Sequence, residues 1–286
     1  MPATPNRLPT ISLAHGSPNL IWPSDVPRRA PSPGDVGGPN GPHSKFLKEY
    51  GPQLLERLKP KAIVVFSAHW ETHGAIQVSD NTENPLYYDY GGFPKSMYNL
   101  NFKSRGSSEV SSRVVDLLTK GGIKTKMIKN VRGLDHGVFV PFVLMFPSQF
   151  EIPIIQVSIS SNLDPHYHLA IGKALTPLRD EGVLIISGGL TIHTFDDGDA
   201  WNPLTANPGY LDFETQIKSG VTDSPTPIER NDKLIRVTSH PFFRKAHPTI
   251  EHFIPIYVAA GAGSEDDDKA RVVSDLHGAI TIEFGA

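Results

Sequence analysis

Residues 62–66, Ala-Ile-Val-Val-Phe, are apolar without a break. A strand with water on neither face reads this way, whereas a half-exposed strand alternates. Residues 152–160 and 182–189 carry nearly the same signature, the second closing on Gly188-Gly189. Shorter strand candidates are 11–15, 75–79, 123–128 and 279–284. Between them the period changes. Phe46, Tyr50, Leu54 and Leu58 recur at four-residue steps and predict a helix over 44–58. Val110, Val114, Leu117 and Leu118 form a stripe over 108–120, which Gly121-Gly122 terminates. Further helices are expected over 138–146, 166–179, 210–219, 227–239 and 250–260, the last with His252 in its first turns. Strands alternating with helices predict an α/β fold. The expectation is one domain over 1–286, with a central mixed, largely parallel sheet flanked by helices.

Other stretches have no period. Residues 18–42 are rich in Pro and Gly and predict a long loop. Residues 84–101 hold four tyrosines and the turn Gly91-Gly-Phe-Pro94, and predict an aromatic loop. Residues 196–209 are polar, and 264–269 are an acidic loop.

Composition narrows the function. A net charge of −3 over 286 residues gives no nucleic-acid footprint and no reason to bind an anionic membrane. No apolar run approaches the ~20 residues of a membrane span, and Met1 to Arg7 lacks the apolar core of a signal peptide. A cytoplasmic location is expected. There is no cysteine, so no disulfide framework, thiolate site or catalytic thiol is available. Any transition metal must use His, Asp or Glu, and 12 histidines leave room for such a site.

The histidines follow the strands. In open α/β sheets the ligand crevice lies outside the carboxyl ends of the strands. His15 and His69 end two strand candidates, and His193 follows the Gly188-Gly189 of a third. If these strands are parallel neighbours, the three imidazoles share one edge. His252 and His136 each accompany a helix and are further candidates. Neutral imidazoles suit Zn, Fe, Cu and Ni, so convergence would make a metal site. Each His alone reads equally well as a hydrogen-bonded structural residue. His166 and His168 are expected at the surface, and His43, His73, His240, His247 and His277 in loops or beside turns.

Six motifs occur in order: His15-Gly-Ser-Pro18, Ser67-Ala-His-Trp70, Gly91-Gly-Phe-Pro94, Leu134-Asp-His-Gly137, Ser187-Gly-Gly189 with His193, and Pro248-Thr-Ile-Glu-His-Phe-Ile-Pro255. Together the chain resembles the extradiol aromatic ring-opening dioxygenases of the LigB superfamily, in the 4,5-DOPA extradiol dioxygenase subgroup, over residues 11–284. The Pro-rich insertion at 22–42 is longer than in compact members. The resemblance implies one mononuclear metal, Fe(II) in active enzyme and Zn(II) in some isolated protein. It implies His15, His69 and His252 as metal ligands, with His193 as a fourth ligand or the catalytic base. His136 would be a second active-site residue that orients substrate or moves a proton. Glu251, beside His252, is the competing ligand. The implied reaction opens a catechol with dioxygen to a muconic semialdehyde, with catechol and oxygen as the partners. Trp70, Tyr88 and Phe93 are the substrate-binding candidates, in an aromatic wall that also includes Tyr87, Tyr90 and Tyr98. A zinc-dependent hydrolase on the same site is the alternative. Nothing in the sequence fixes the oligomeric state.

Overall fold

A computed structural model of the chain describes residues 7–27, 37–265 and 268–286. The part of the 18–42 loop at 28–36 lies outside them. Among the described residues there are ten strands: β1 Thr10–Ala14, β2 Ala62–Thr72, β3 Ile76–Asp80, β4 Lys103–Ser104, β5 Thr125–Lys129, β6 Gln149–Phe150, β7 Ile154–Ser160, β8 Val183–Gly189, β9 Ala270–Leu276 and β10 Ala279–Phe284. The helices are α1 Pro42–Leu58, α2 Ser108–Lys120, α3 His136–Met145, α4 Pro165–Ala174, α5 Pro177–Asp180, α6 Pro208–Thr222, α7 Pro227–Arg236, α8 Phe243–Ala246 and α9 Pro255–Ala262.

Eight strands form one sheet in the order β5-β3-β7-β2-β8-β1-β10-β9, and β4 pairs with β6. The middle four, β7, β2, β8 and β1, are mutually parallel. β10 and β9 continue antiparallel on one side, and β3 runs against β7 on the other. The sheet is therefore mixed and largely parallel, as the apolar runs require. Those runs serve two cores at once. Ala62, Val64 and Phe66 join a core with α2, α4, α6 and α9. Ile63 and Val65 face the other way, into a core with α1 and α3. The alternation of a strand places successive side chains on opposite faces, so both parities must be apolar.

The structure differs from the sequence reading at several places. β2 does not end at His69 but runs to Thr72, carrying His69 within it. The 166–179 segment divides into α4 and α5, with Pro177 opening the second. His168 is not at the surface but fully buried, its Nε2 accepting from Ser160 N. Residues 251–254 form a series of turns, and helix starts only at Pro255. Proline has no N–H for the bond back to residue 251, and the His252 carbonyl is taken by Leu190 N at 2.9 Å. His252 thus sits before α9 rather than in its first turns. β9, a half-exposed edge strand, lacks the continuous apolar signature and was not anticipated.

Candidate active site

Strand pairing sets the site. β1, β8 and β2 are adjacent and parallel, so their carboxyl ends open on one edge. His15 follows β1, with its N–H on Gly189 O at 3.1 Å. His69 stands in a bulge. Ser67 pairs with Ser158 of β7, and the next pair is Glu71 with Ile159. Three residues of β2 therefore have no partner on β7. In such a bulge the backbone leaves the ladder and needs other partners. Side chains supply them: Ser67 Oγ accepts from His69 N at 3.1 Å, and Arg132 Nη2 donates to His69 O at 3.0 Å.

The glycines of the motifs are close-approach positions. A Cβ on Gly189 would lie 2.4 Å from His252 O, and one on Gly137 would lie 2.7 Å from His69 Cδ2. Glycine at 189 lets the 252 turn sit against the end of β8. Glycine at 137 lets the start of α3 sit against His69.

His15, His69 and His252 each offer a ring nitrogen within 4.8 Å of one another. His15 Nδ1 donates to the Gly16 carbonyl at 2.7 Å, which leaves Nε2 as a lone pair. That Nε2 is buried and has no hydrogen-bond partner among the described residues. His252 Nδ1 donates to Glu251 Oε1 at 2.8 Å, and its Nε2 lies 3.2 Å from His69 Nε2. A buried nitrogen without a partner is costly. Two further imidazole nitrogens directed to the same place, with the His15 and His252 rings each oriented by an acceptor on the far side, are what a His-bound transition metal needs. The donor set fits such an ion. Burial pushes the His15 and His69 pKa values far down, and the neighbouring imidazoles add to it. Both rings are neutral at physiological pH, the form in which they bind metal.

His193 is placed differently. Its ring stacks on His252, with centroids 3.5 Å apart and planes 11° from parallel. It groups with Glu251 and His252, not with His15 and His69. Burial lowers its pKa to about 4, helped by His252 and opposed by Glu251. Glu251 is held down to about 2: burial is the largest influence and opposes this, but the His252 hydrogen bond and charge, with the backbone and Thr249 hydrogen bonds, together outweigh it. It faces His252 Nδ1 and so orients that ring. His136 opens α3 with its ring centroid 3.9 Å from that of His69.

Sequence reasoning missed the carboxylates behind the imidazoles. Asp135 is fully buried and accepts from Ser67 Oγ at 2.7 Å, Arg132 Nη2 at 3.1 Å and Gln156 Nε2. It joins β2, β7 and the start of α3 beneath the cluster. Asp89, in the aromatic loop, accepts from His136 Nδ1 at 2.8 Å. Their signal in the sequence was adjacency to candidate residues, which says nothing of direction.

The aromatic candidates separate. Trp70 is 5% exposed and lies under Arg132, whose guanidinium carbon is 5.0 Å from its ring centroid. Tyr88 packs against Phe139, and its hydroxyl accepts from Leu100 N. Phe93 contacts Tyr90 and Trp22. Among the described residues the aromatic rings standing against the imidazoles are Tyr90, 5.8 Å from His136, and Phe195, 5.1 Å from His193. Phe195 is 83% exposed.

The strand-end histidine cluster is of the kind that can hold a transition metal, and the chain's similarities say to which class of enzyme it belongs. Residues 30–283 match the family model described as the catalytic LigB subunit of aromatic ring-opening dioxygenase. The chain belongs to this family of extradiol ring-cleaving dioxygenases. It is 46% identical, over all of its length and 94% of the relative's, to a 4,5-DOPA dioxygenase extradiol-like protein of Schizosaccharomyces pombe. It is 37% identical to 4,5-DOPA dioxygenase extradiol of Beta vulgaris, over 95% of this chain and 92% of that one. A crystal structure of an uncharacterized Escherichia coli K12 protein matches 97% of this chain and 99% of its own with TM-score 0.70; at 23% identity it speaks for the fold alone. Among the described residues no helix is long and apolar enough to cross a membrane.

Proposed function

We propose that the chain opens a catechol ring with dioxygen beside the two hydroxyls, giving a muconic semialdehyde, on a single Fe(II) held by His15, His69 and His252. The observation that carries this reading is the convergence of three imidazoles around the unpartnered, buried Nε2 of His15. Bound there, Fe(II) would lower the pKa of coordinated hydroxyls and join the catechol and oxygen electronically; Zn(II) suits the same three nitrogens in isolated protein. Names among the relatives support a DOPA-like catechol as substrate.

The chain's own residues do the rest. His193 is outside the ligand triplet, is neutral at pH 7 and lies flat on His252. It takes the proton of a substrate hydroxyl, the work of a general base. Glu251 orients His252, and Asp135 with Arg132 holds the His69 bulge. His136, Tyr90 and Phe195 border the space a ring would enter. The test is anaerobic reconstitution with Fe(II), then a small catechol panel that includes 3,4-dihydroxyphenylalanine. Oxygen uptake with a yellow semialdehyde product is expected. Hydrolysis of an ester or amide by the zinc form, without oxygen consumption on any catechol, would replace this reading with a zinc hydrolase. A cytoplasmic location belongs to the same proposal.

A further inference from the structure

The start of α3 has an unusual cap. Its N-cap residue is Asp135, a type that normally accepts from the first turn, yet Asp135 makes no such bond. Its carboxylate is occupied by Ser67, Arg132 and Gln156. The first N–H groups of a helix still need acceptors. Asp89 comes from 47 residues away to meet one of them: its Oδ1 accepts from His136 N at 3.0 Å. The same Oδ1 accepts from His136 Nδ1 at 2.8 Å. An ionised carboxylate can only accept, so Nδ1 must carry the ring proton. In neutral His136 the lone pair is then on Nε2, which makes no hydrogen bond among the described residues. Asp89 also stands between Tyr88 and Tyr90, whose rings pack on Phe139 of α3. One side chain thus fixes the ring of His136, its tautomer and the aromatic loop against the same helix.

We propose that Asp89 is a positioning residue that locks His136 with its proton on Nδ1 and presents Nε2 as an acceptor to a substrate hydroxyl. In the opposite tautomer Nε2–H could only donate, and a hydroxyl bound there would have to turn its proton away. The substrate clause rests on the dioxygenase reading; the tautomer clause does not.

The test uses the full chain in two forms. In zinc-loaded protein, nitrogen-15 NMR of labelled histidine reports the tautomer of His136. In the Fe(II) enzyme, steady-state oxygen uptake reports kcat and KM for a catechol. Wild type is expected to show Nδ1–H. Asp89→Ala should lose that signature and lower kcat about 100-fold, the scale of one proton-handling group, with a smaller change in KM. Asp89→Asn keeps an acceptor oxygen and should retain the tautomer, with kcat restored to within about tenfold of wild type. An Asp89→Ala protein that keeps the Nδ1–H tautomer, or whose loss lies in KM alone, overturns the proposal. If Asp89→Ala does not fold, Asp89→Asn decides: an Nε2–H tautomer with wild-type kcat overturns it. A wild-type enzyme that turns over no catechol overturns the proposed function, while the NMR signal still decides the role of Asp89.

Discussion

Among the described residues two buried histidine–carboxylate clusters stand out, and they differ in what is left unpaired. Glu214 of α6 accepts from Thr191 Oγ1 at 2.6 Å, His277 Nδ1 at 2.6 Å and Gly278 N at 2.9 Å, and His277 Nε2 donates to Ala200 O at 2.8 Å. Both ring nitrogens are satisfied inside the protein. That cluster joins α6 to the β9–β10 turn and has nothing left to offer a ligand. At the strand ends, each imidazole of His15 and His252 has its Nδ1 satisfied and its Nε2 directed to a shared point. Burial alone does not distinguish a site from a brace. An orphan nitrogen alone does not either, since His43 Nδ1 and His247 Nδ1 also lack partners. Convergence of several ring nitrogens on one place does.

The contrast can be broken by substitution. His15→Ala or His69→Ala should abolish stoichiometric metal binding and turnover together, measured by elemental analysis and oxygen uptake; retained metal at full occupancy would remove that residue from the ligand set. His193→Ala should keep the metal but lower kcat by about 10²–10⁴-fold, the range for a general base. Full activity in that variant would take His193 out of the chemistry. Glu251→Gln should weaken metal affinity about 10–100-fold, as loss of an outer carboxylate partner does, read by competition with a chelator. The smallest effect belongs to the other cluster. Glu214→Gln should leave metal content unchanged and lower stability by about 1 kcal/mol, because a charged acceptor becomes a neutral one.

That last effect carries a pH signature. Burial lowers the His277 pKa, but the Glu214 hydrogen bond and charge more than offset it, and the net shift is upward from 6.5. A raised histidine pKa contributes stability in full below the unfolded value and loses it as pH rises through the folded one. The stability gap between wild type and Glu214→Gln should therefore be widest below about pH 6.5 and narrow above it. A gap that grows with pH would contradict the assignment of charge to this pair.

Much of the fold was legible because its cause is local. A strand buried on both faces must be apolar at both parities, so β2, β7 and β8 announced themselves. β9 did not, being an edge strand with a single buried residue, Ser274. The histidines that meet were legible from their place at strand ends. The direction of each ring was not, because it depends on acceptors such as Gly16 O, Glu251 and Asp89 that tertiary structure brings in. Trp70 shows the same limit: it is the neighbour of His69 in sequence, yet its ring lies against Arg132. His252 required the Pro255 boundary and the Gly189 contact to be read together.

On the proposed reading His15, His69 and His252, and not Glu251, hold one ion. X-ray absorption on the chain loaded with one equivalent of zinc tests it most directly, with wild type, Glu251→Ala and His252→Ala compared. The account predicts one tightly bound ion with imidazole nitrogens in the wild-type shell, the same three in Glu251→Ala at weaker affinity, and loss of one imidazole in His252→Ala. A carboxylate oxygen that disappears in Glu251→Ala, with the imidazole count unchanged in His252→Ala, would contradict it.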